Sequence, residues 1–417
     1  MLPEAIHGLG RNIYLKRALL VFAVLFFYCD LAVYFSLSVS PRLEPQYWLG
    51  LLVLLTILWS VATPRLRYSF FNTSLFIWCV FFIGINLASY FLVHASHIEE
   101  FKGRIRDAVM LLTLLSLFIM LGDQIIFVRK LILLAVIGGV IINIIGIFHC
   151  DFLIPAQYAH ACRSAGFYIN PNDSAIALLF GMIFSIDTIP KSWRILFVYF
   201  VMIGVFLTLS REAIAGWLAI VIMFCITGVI NWRKLILWSG IIAVTAVLIF
   251  VIVIKSGIAN APIASPYTEQ LHRLVWFVHG LRSGASVNIR FELLAKSWGM
   301  FLKHPWIGNG IGSTDHWSLP YSTHNIYLYY LDDFGIIGLL LFPLLVWSVV
   351  YGAHGGVRTT GWCLAVFILL IGFFNHDLVH SYYSLFSLAL MAAMTKTSQL
   401  SGDLSNESDA QKAILQS

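Results

Sequence analysis

Residues 286–339 have the sequence SVNIRFELLAKSWGMFLKHPWIGNGIGSTDHWSLPYSTHNIYLYYLDDFGIIGL, a polar segment in a chain made mainly of hydrophobic spans. Only 11% of the 417 residues are charged. This segment nevertheless concentrates ionisable side chains: Arg290, Lys296, Lys303, His304, Asp315, His316 and His324. Ionisable groups are expensive inside a membrane and often mark functional sites there. The segment is therefore the first candidate for a site.

The pattern of this segment predicts a surface helix, a tight turn and a second helix. In the first helix the apolar residues fall near one face, and Arg290 and the other charged residues are expected on other faces. Pro305 disfavours helical geometry at His304, so the first helix should end there. A glycine-dense turn follows at 308–312. His324 then lies at the mouth of an apolar membrane helix.

Composition excludes an ordinary soluble domain. Hydrophobic residues make up 60% of the chain and aromatic residues 15%, and the mean hydropathy is +0.87. These values indicate a polytopic helical membrane protein. The first apolar stretch, at 15–37, is too long for a signal peptide. The formal net charge is +6, but the basic residues are scattered through short loops, which argues against nucleic-acid binding.

The fold class predicted is an all-α polytopic membrane protein with about twelve spans, each near the ~20 residues that cross a bilayer. The spans are 15–37, 46–63, 70–93, 107–122, 129–149, 172–189, 193–210, 212–230, 235–255, 333–352, 360–375 and 378–395. We divide the chain into helices 1–9 (1–255), a large helical outer loop (256–323), helices 10–12 (324–396) and a disordered tail (397–417).

Lys and Arg are more frequent in the alternate loops that include both termini, which places the termini in the cytoplasm. The 256–323 loop then lies outside, in the periplasm of a Gram-negative cell. Its residues 268–282 have helical apolar spacing, which fits either an interfacial helix on the bilayer or a lid packed on neighbouring spans. Cys150 and Cys162 share an outer loop, where a disulfide is a hypothesis that requires an oxidising compartment.

Three fragments resemble one known family. Arg290 followed by HPWIGNGIG and then HNIYLYYLDDFGIIGL resembles the C-terminal signature of the O-antigen ligase and polymerase superfamily. RSAGFYINPNDSAIAL, from Arg163, and TLSREAIAGW, which contains Arg211, are similar to two earlier motifs of that family. The resemblance covers about residues 160–340, and it is specific as a set although each fragment alone is weak.

The predicted topology puts Arg163, Arg211 and Arg290 at the same membrane face. Arg remains charged and offers a planar fork of donors that matches phosphate oxygens. Since an unpaired Arg at a helix centre costs about 2.5–3.5 kcal/mol, three of them predict an anion, and the natural one at that depth is the diphosphate of a lipid carrier. The alternative is that these arginines contact lipid headgroups or pair with nearby carboxylates.

His324 is the candidate general base, because a neutral imidazole can accept a proton near pH 7. Asp333 lies half a turn out of phase with His324 and should face away from it. Asp377 is the more favourable carboxylate to orient its ring, and Asn325 is a further candidate for support. Asn172 belongs to an Asn-Pro-Asn sequence that either caps the sixth span or contacts a substrate hydroxyl.

No metal site is predicted. Asp332 and Asp333 are adjacent, so on a helix their carboxylates point in different directions. The sequence has no Cys-x-x-Cys ligand pair. We therefore expect neither a metal nor another cofactor.

The resemblance implies a GT-C-type, inverting and metal-independent glycosyltransferase of the Gram-negative inner membrane. Its expected partners are undecaprenyl-diphosphate-linked O-antigen, the lipid A-core oligosaccharide and membrane lipid. One dominant outer loop favours a ligase that completes lipopolysaccharide, and an O-antigen polymerase is the alternative. A protein-linked oligosaccharyltransferase of the same superfamily is a third possible function. A transporter of lipid-linked glycan is a different class, disfavoured because the polar residues collect at one face and no repeat is found.

Overall fold

The computed structural model describes residues 13–62, 70–93, 95–148, 153, 163–241, 244, 285–319 and 321–416. Within these residues every regular element is helical. In chain order the α-helices are α1 (Ile13–Ala23), α2 (Leu31–Ser38), α3 (Pro45–Ala62), α4 (Ser74–Leu92), α5 (Ile98–Met120), α6 (Ile125–Phe148), α7 (Pro171–Ser185), α8 (Arg194–Leu207), α9 (Arg211–Ile226), α10 (Ala285–Phe301), α11 (Ile326–Phe334), α12 (Gly338–Val350), α13 (Gly355–Ile371) and α14 (Tyr382–Gln416).

The chain divides into two compact units. The first comprises residues 1–135 and 285–417, and the second comprises residues 136–284. The boundary falls within α6. Three predictions concern residues outside the described ranges: the helix at 268–282, the disulfide between Cys150 and Cys162, and most of the ninth span.

The helices are apolar enough for a membrane protein, but not all predicted spans are reproduced. In the described part of the chain three helical stretches are long and apolar enough to cross a bilayer: Ser74–Leu92, Gly122–Gly146 and Ile326–Val350. A fourth is Ile13–Tyr28 with Leu31–Ser38, which are bent by 59°. The bend occurs at Asp30, whose φ is 59°. Three further predicted spans correspond to shorter apolar helices, Pro45–Val61, Arg194–Leu207 and Gly355–Ile371. The all-helical membrane class is therefore supported, and the number of about twelve spans is not confirmed.

In the first unit, α14 packs along α5 and α12 packs on both α11 and α13. The α5–α14 contact is formed by buried apolar side chains, with the rings of Phe118 and Phe386 5.0 Å apart. Helix α14 continues to Gln416, through the segment expected to be disordered from 397. Its last part is polar, but it contains good helix formers such as Ala, Leu, Lys and Gln, which allow the helix to continue.

In the second unit, α7 is the central helix and contacts both α8 and α9. Every residue of α7 from Ser174 to Ser185 is buried, as expected of a helix that is hydrophobic all round. The helix begins as predicted, because the Asn170 side chain accepts a hydrogen bond from the backbone N–H of Asn172, and Pro171 occupies the first turn.

Two predicted spans begin earlier than expected. The tenth span was placed at 333–352, whereas α11 begins at Ile326 because the Asn325 side chain accepts from the N–H groups of Tyr327 and Leu328. A 3-10 turn at Gly335–Ile337 then separates α11 from α12. The fourth span was placed at 107–122, whereas α5 begins at Ile98, with acidic residues in its first turn that favour a helix start.

The segments predicted to lie outside the membrane meet at one end of the first unit. Near the start of α5, the N–H of His97 donates to the carbonyl of Ile311 over 3.0 Å. Beyond the other end of α5, Lys16 pairs with Asp123 over 3.0 Å. The candidate site residues of this unit therefore lie toward the start of α5, and Lys16 and Asp123 lie beyond its other end.

Candidate active site

Helix α10 is held by one buried face. Leu293, Ser297 and Phe301 are buried and follow one another at four-residue spacing, which places them on one side of a helix. Ser297 Oγ donates a hydrogen bond to Asp332 Oδ2 of α11. Arg290 lies one turn before Leu293 on this same side and is exposed. The expectation that Arg290 occupies a different face from the apolar residues was therefore wrong.

The glycine-dense turn packs its backbone against the α11–α12 break. Gly308 has φ 76°, in the left-handed region that favours glycine. The N–H of Asn309 donates to the carbonyl of Asp332 over 2.6 Å, and the N–H of Ile336 donates to the carbonyl of Pro305 over 2.8 Å. A Cβ on Gly308 would overlap the backbone carbonyl of Asp333. The turn and the DDFG sequence thus form a single interlocked structure.

A buried ion pair ties this structure to α5. Arg104 is 1% exposed and Asp333 is 0% exposed, and Arg104 Nη2 donates to Asp333 Oδ2. The other oxygen of Asp333 accepts from Ser313 N over 3.2 Å and from Ser313 Oγ over 3.0 Å. Asp333 thus turns away from His324, as expected. No role was predicted for Arg104 from the sequence.

His324 is held in a constrained conformation just before α11. Its φ is 51°, a left-handed value that histidine adopts more readily than most residues. The two residues that flank His324 are bonded to each other. Thr323 Oγ1 donates to the carbonyl of Asn325 over 2.8 Å and accepts from the N–H of Asn325 over 3.1 Å. The N–H of Ile326 donates to the carbonyl of Gly372 over 2.9 Å. Asn325 supports the site as the cap of α11.

The surroundings of His324 favour its neutral form. The pKa of His324 is lowered to about 4, first by burial, then by electrostatic interaction with His376 and with the Arg290 cation, and Asp377 acts in the opposite direction. At neutral pH the imidazole is therefore uncharged and can accept a proton. The ring of His376 lies edge-on to that of His324, with the centroids 5.4 Å apart.

Asp377 contacts His376 rather than His324. Its Oδ1 lies 3.2 Å from Nε2 of His376, and among the described residues Asp377 acts on His324 only through its charge. The idea that Asp377 orients His324 directly is therefore corrected. No role was predicted for His376 from the sequence, because nothing in its local sequence distinguishes it from His380.

In the second unit, Arg163 links the two other predicted motifs. Arg163 Nε donates to the carbonyl of Thr208, and Arg163 Nη2 donates to Asn172 Oδ1, both over 2.9 Å. Arg211 begins α9, three residues after Thr208. The segments of Arg163 and Arg211 therefore adjoin within this unit. Asn172 holds the guanidinium of Arg163, and the helix cap is supplied by Asn170.

Strained backbone conformations occur in the same segments. Among the described residues, the non-glycine residues with positive φ are Asp30, Leu153, Ile169, Leu209 and His324. Three of these five lie in the predicted motifs. Such conformations cost on the order of 1–3 kcal/mol each and persist mainly at functional sites. Ile169 and Leu209 lie in the motifs of the second unit, and His324 lies in the motif of the first.

The predicted residues are divided between the two units. Arg163, Asn172 and Arg211 belong to the second, and Arg290, His324, Asn325 and Asp377 to the first. The meeting of all three arginines at one diphosphate stays a prediction. In the part of the chain that the structure describes, no group of three His, Cys, Asp or Glu side chains is arranged to hold a metal ion.

Comparison with known families agrees with the motifs. A search of curated proteins found no match. Residues 195–342 match the family described as O-Antigen ligase. The match includes Arg211, Arg290 and His324, whereas Arg163 and Asp377 lie outside it. It confirms the resemblance, because residues 195–342 carry a domain of the O-antigen ligase and polymerase superfamily.

Proposed function

We propose that the protein is a ligase-type glycosyltransferase that completes lipopolysaccharide. It moves O-antigen from undecaprenyl diphosphate to a sugar hydroxyl of the lipid A-core oligosaccharide, at the periplasmic face of the inner membrane. The observation that most supports this is a neutral, half-buried His324 at the start of a membrane helix, close enough to Arg290 for its charge to act on the imidazole. Both residues lie in the O-antigen ligase domain.

The proposed reaction is a single displacement without a metal. The acceptor hydroxyl gives its proton to His324, and its oxygen attacks the anomeric carbon on the side opposite the diphosphate. As the bond to the carrier breaks, negative charge develops on the diphosphate. Arg290, Arg211 and Arg163 stabilise this charge, which is where fixed positive groups contribute most to catalysis. The anomeric configuration is inverted, so a product with retained configuration would contradict this mechanism.

The 256–323 loop favours ligation over polymerisation, because it is the one dominant outer loop and includes basic residues suited to a phosphate-rich acceptor. A polymerase would extend the carrier-linked glycan instead. A transporter would move the lipid-linked glycan across the bilayer without forming a glycosidic bond.

Purified protein supplied with lipid-linked O-antigen and lipid A-core, together and separately, distinguishes these functions. We expect glycan-linked lipid A-core only when both substrates are present. Longer carrier-linked chains without the acceptor would identify a polymerase. Movement of fluorescent lipid-linked glycan in vesicles, without any transfer, would identify a transporter.

His324→Ala tests the base directly. We expect a loss of transfer of about 100-fold or more, the usual contribution of a general base, with unchanged expression and thermal stability. The matched control is His354→Ala, since His354 is exposed between α12 and α13 and has no place in the proposed site. Full activity of the His324 variant would remove this residue from the mechanism.

A further inference from the structure

His376 supplies a second imidazole beside His324, and the proposed reaction gives it no role. It lies in the turn between α13 and α14 and is only 8% exposed. Its ring is edge-on to that of His324. The turn is held locally, because the N–H of Asp377 donates to Asn375 Oδ1 over 2.8 Å. The position of His376 is therefore fixed by its own segment.

The position of Asp377 favours the Nε2–H tautomer of His376. Asp377 Oδ1 lies 3.2 Å from Nε2 of His376, where a negative charge stabilises a proton, and in that neutral tautomer the lone pair is on Nδ1. Nδ1 is buried and has no hydrogen-bond partner among the described residues. A buried polar atom without a partner requires an explanation. An imidazole held by a carboxylate through one nitrogen has its other nitrogen prepared to accept a proton.

Three elements contribute other ionisable side chains near the rings of His324 and His376. Arg290 of α10 acts on His324, and the ring of Tyr329 in α11 lies 5.5 Å from that of His376. From the turn before α14, Asp377 acts on both rings. Among these groups, Asp377 is the carboxylate positioned to stabilise a cation at His376.

We propose that His376 is a positioning residue that receives the reaction's proton from His324, on Nδ1, and holds it as an imidazolium against Asp377. This proposal rests on the proposed function. In the first step the O–H bond of the acceptor breaks, its electron pair forms the glycosidic bond, and an N–H bond forms on His324. In the second step that N–H bond breaks and one forms on Nδ1 of His376, directly or through one water.

The properties of the two rings explain why a second proton site is useful. A half-buried His324 beside Arg290 is readily neutral, but for the same reason it holds a captured proton weakly. His376 has the carboxylate partner that His324 lacks, since Asp377 contacts only the ring of His376. The first imidazole is thus suited to accept the proton and the second to retain it.

Two variants test the proposal through opposite effects on His324. His376→Gln retains an N–H group near Asp377 but removes the imidazole, whose charged form lowers the pKa of His324, so that pKa should rise from about 4. Asp377→Asn removes the anion, so the pKa of His324 should fall. Of the two protonation states of a histidine, diethyl pyrocarbonate modifies the neutral one. Peptide mass spectrometry then gives the extent of modification at His324 as a function of pH. This titration requires no substrate and no transfer.

In the transfer assay we expect kcat to fall about 10-fold or more in both variants, since proton handling is typically worth 10²–10⁴-fold, while KM for the acceptor changes little. His354→Gln is the control for both measurements. An unchanged titration of His324 in both variants, or an unchanged kcat in His376→Gln, would overturn the proposal. If the unmodified protein transfers no glycan, the proposed function fails, and the titration still decides whether the two rings are coupled.

Discussion

At the scale of single residues, the charge pair between Arg104 and Asp333 determines how firmly the candidate site is held. Both side chains are removed from solvent, and the guanidinium also lies 5.0 Å from the ring centroid of Tyr329 and 5.1 Å from that of Phe334. A buried ion pair adds little net stability over a well-packed apolar pair, whereas loss of one partner leaves an uncompensated charge. The consequence is a strong dependence of each residue on the other.

This dependence predicts a specific pattern of stability. Arg104→Met and Asp333→Asn should each lower the free energy of unfolding by about 3–5 kcal/mol, the usual cost of breaking a buried pair. The double variant Arg104→Met/Asp333→Asn should lose clearly less than the sum of the two single losses, because neither charge is then left uncompensated. Thermal unfolding in detergent measures all three.

Lys102→Met is the control for this series. The side chains of Lys102 and its partner Glu99 are 62% and 75% exposed, so little change is expected because exposed pairs contribute little. Simple additivity of the two single losses in the double variant would show that the pair is not coupled.

Sequence reasoning identified the residues whose type and local motif were informative. His324 and Arg290 were selected because an imidazole and a guanidinium beside a glycine-dense turn have an obvious chemistry. Arg104 could not be selected, since its partner is 229 positions away and no local spacing encodes a tertiary contact. His376 was missed for the same reason, because its candidate role depends on a tertiary contact with the ring of His324.

At the scale of elements, the glycine-dense turn is the part that the sequence described best. Its glycines at 308, 310 and 312 all have positive φ, at 76°, 96° and 78°. Helix starts were also predictable where a cap is present, as at Asn170. The start of α5 was not, because hydropathy alone marks the apolar part of a helix and misses its polar first turn. The start of α11 was also placed too late, although Asn325 caps it.

The tight packing of this turn predicts the effect of one methyl group. Gly308→Ala should lower the free energy of unfolding by on the order of 1–3 kcal/mol or more, because the residue is left-handed and the added Cβ overlaps the backbone of Asp333. Gly299→Ala is the matched control, since it lies within α10 and its Cβ would meet nothing within 4 Å. That control should be neutral or stabilising by up to about 1 kcal/mol. Equal stability of both variants would contradict the interlocked backbone.

At the scale of the whole molecule, the orientation in the membrane is predicted by the Lys and Arg distribution alone. It can be tested within the first unit by cysteine substitutions in a background without native cysteines. Trp306 follows α10 and is 76% exposed, and Tyr351 follows α12 and is 55% exposed. A membrane-impermeant maleimide should label Trp306→Cys in intact spheroplasts and Tyr351→Cys only after lysis. The reverse result would put His324 on the cytoplasmic side and exclude the proposed acceptor.

The number of spans was the weakest prediction at this scale. Apolar windows of similar length were treated alike, but α8 covers only Arg194–Leu207 and α13 only Gly355–Ile371. A window that is apolar throughout does not reveal where turns such as the one at Leu209 interrupt the helix. The general class was predictable because it depends on average hydropathy, whereas the exact spans depend on these local interruptions.

The segment from 313 to 323 joins two anchored points. Ser313 Oγ donates a hydrogen bond to Asp333. Thr323 Oγ1 donates one to the carbonyl of Asn325, the residue that caps α11. Between these points Tyr329 Oη donates to Asp315 Oδ2 over 2.9 Å. An insertion that leaves this contact in place should cost little, about 0.6 kcal/mol for each doubling of a flexible loop. Natural divergence or deliberate grafting can therefore reshape this surface to suit a new sugar while the imidazole stays in register.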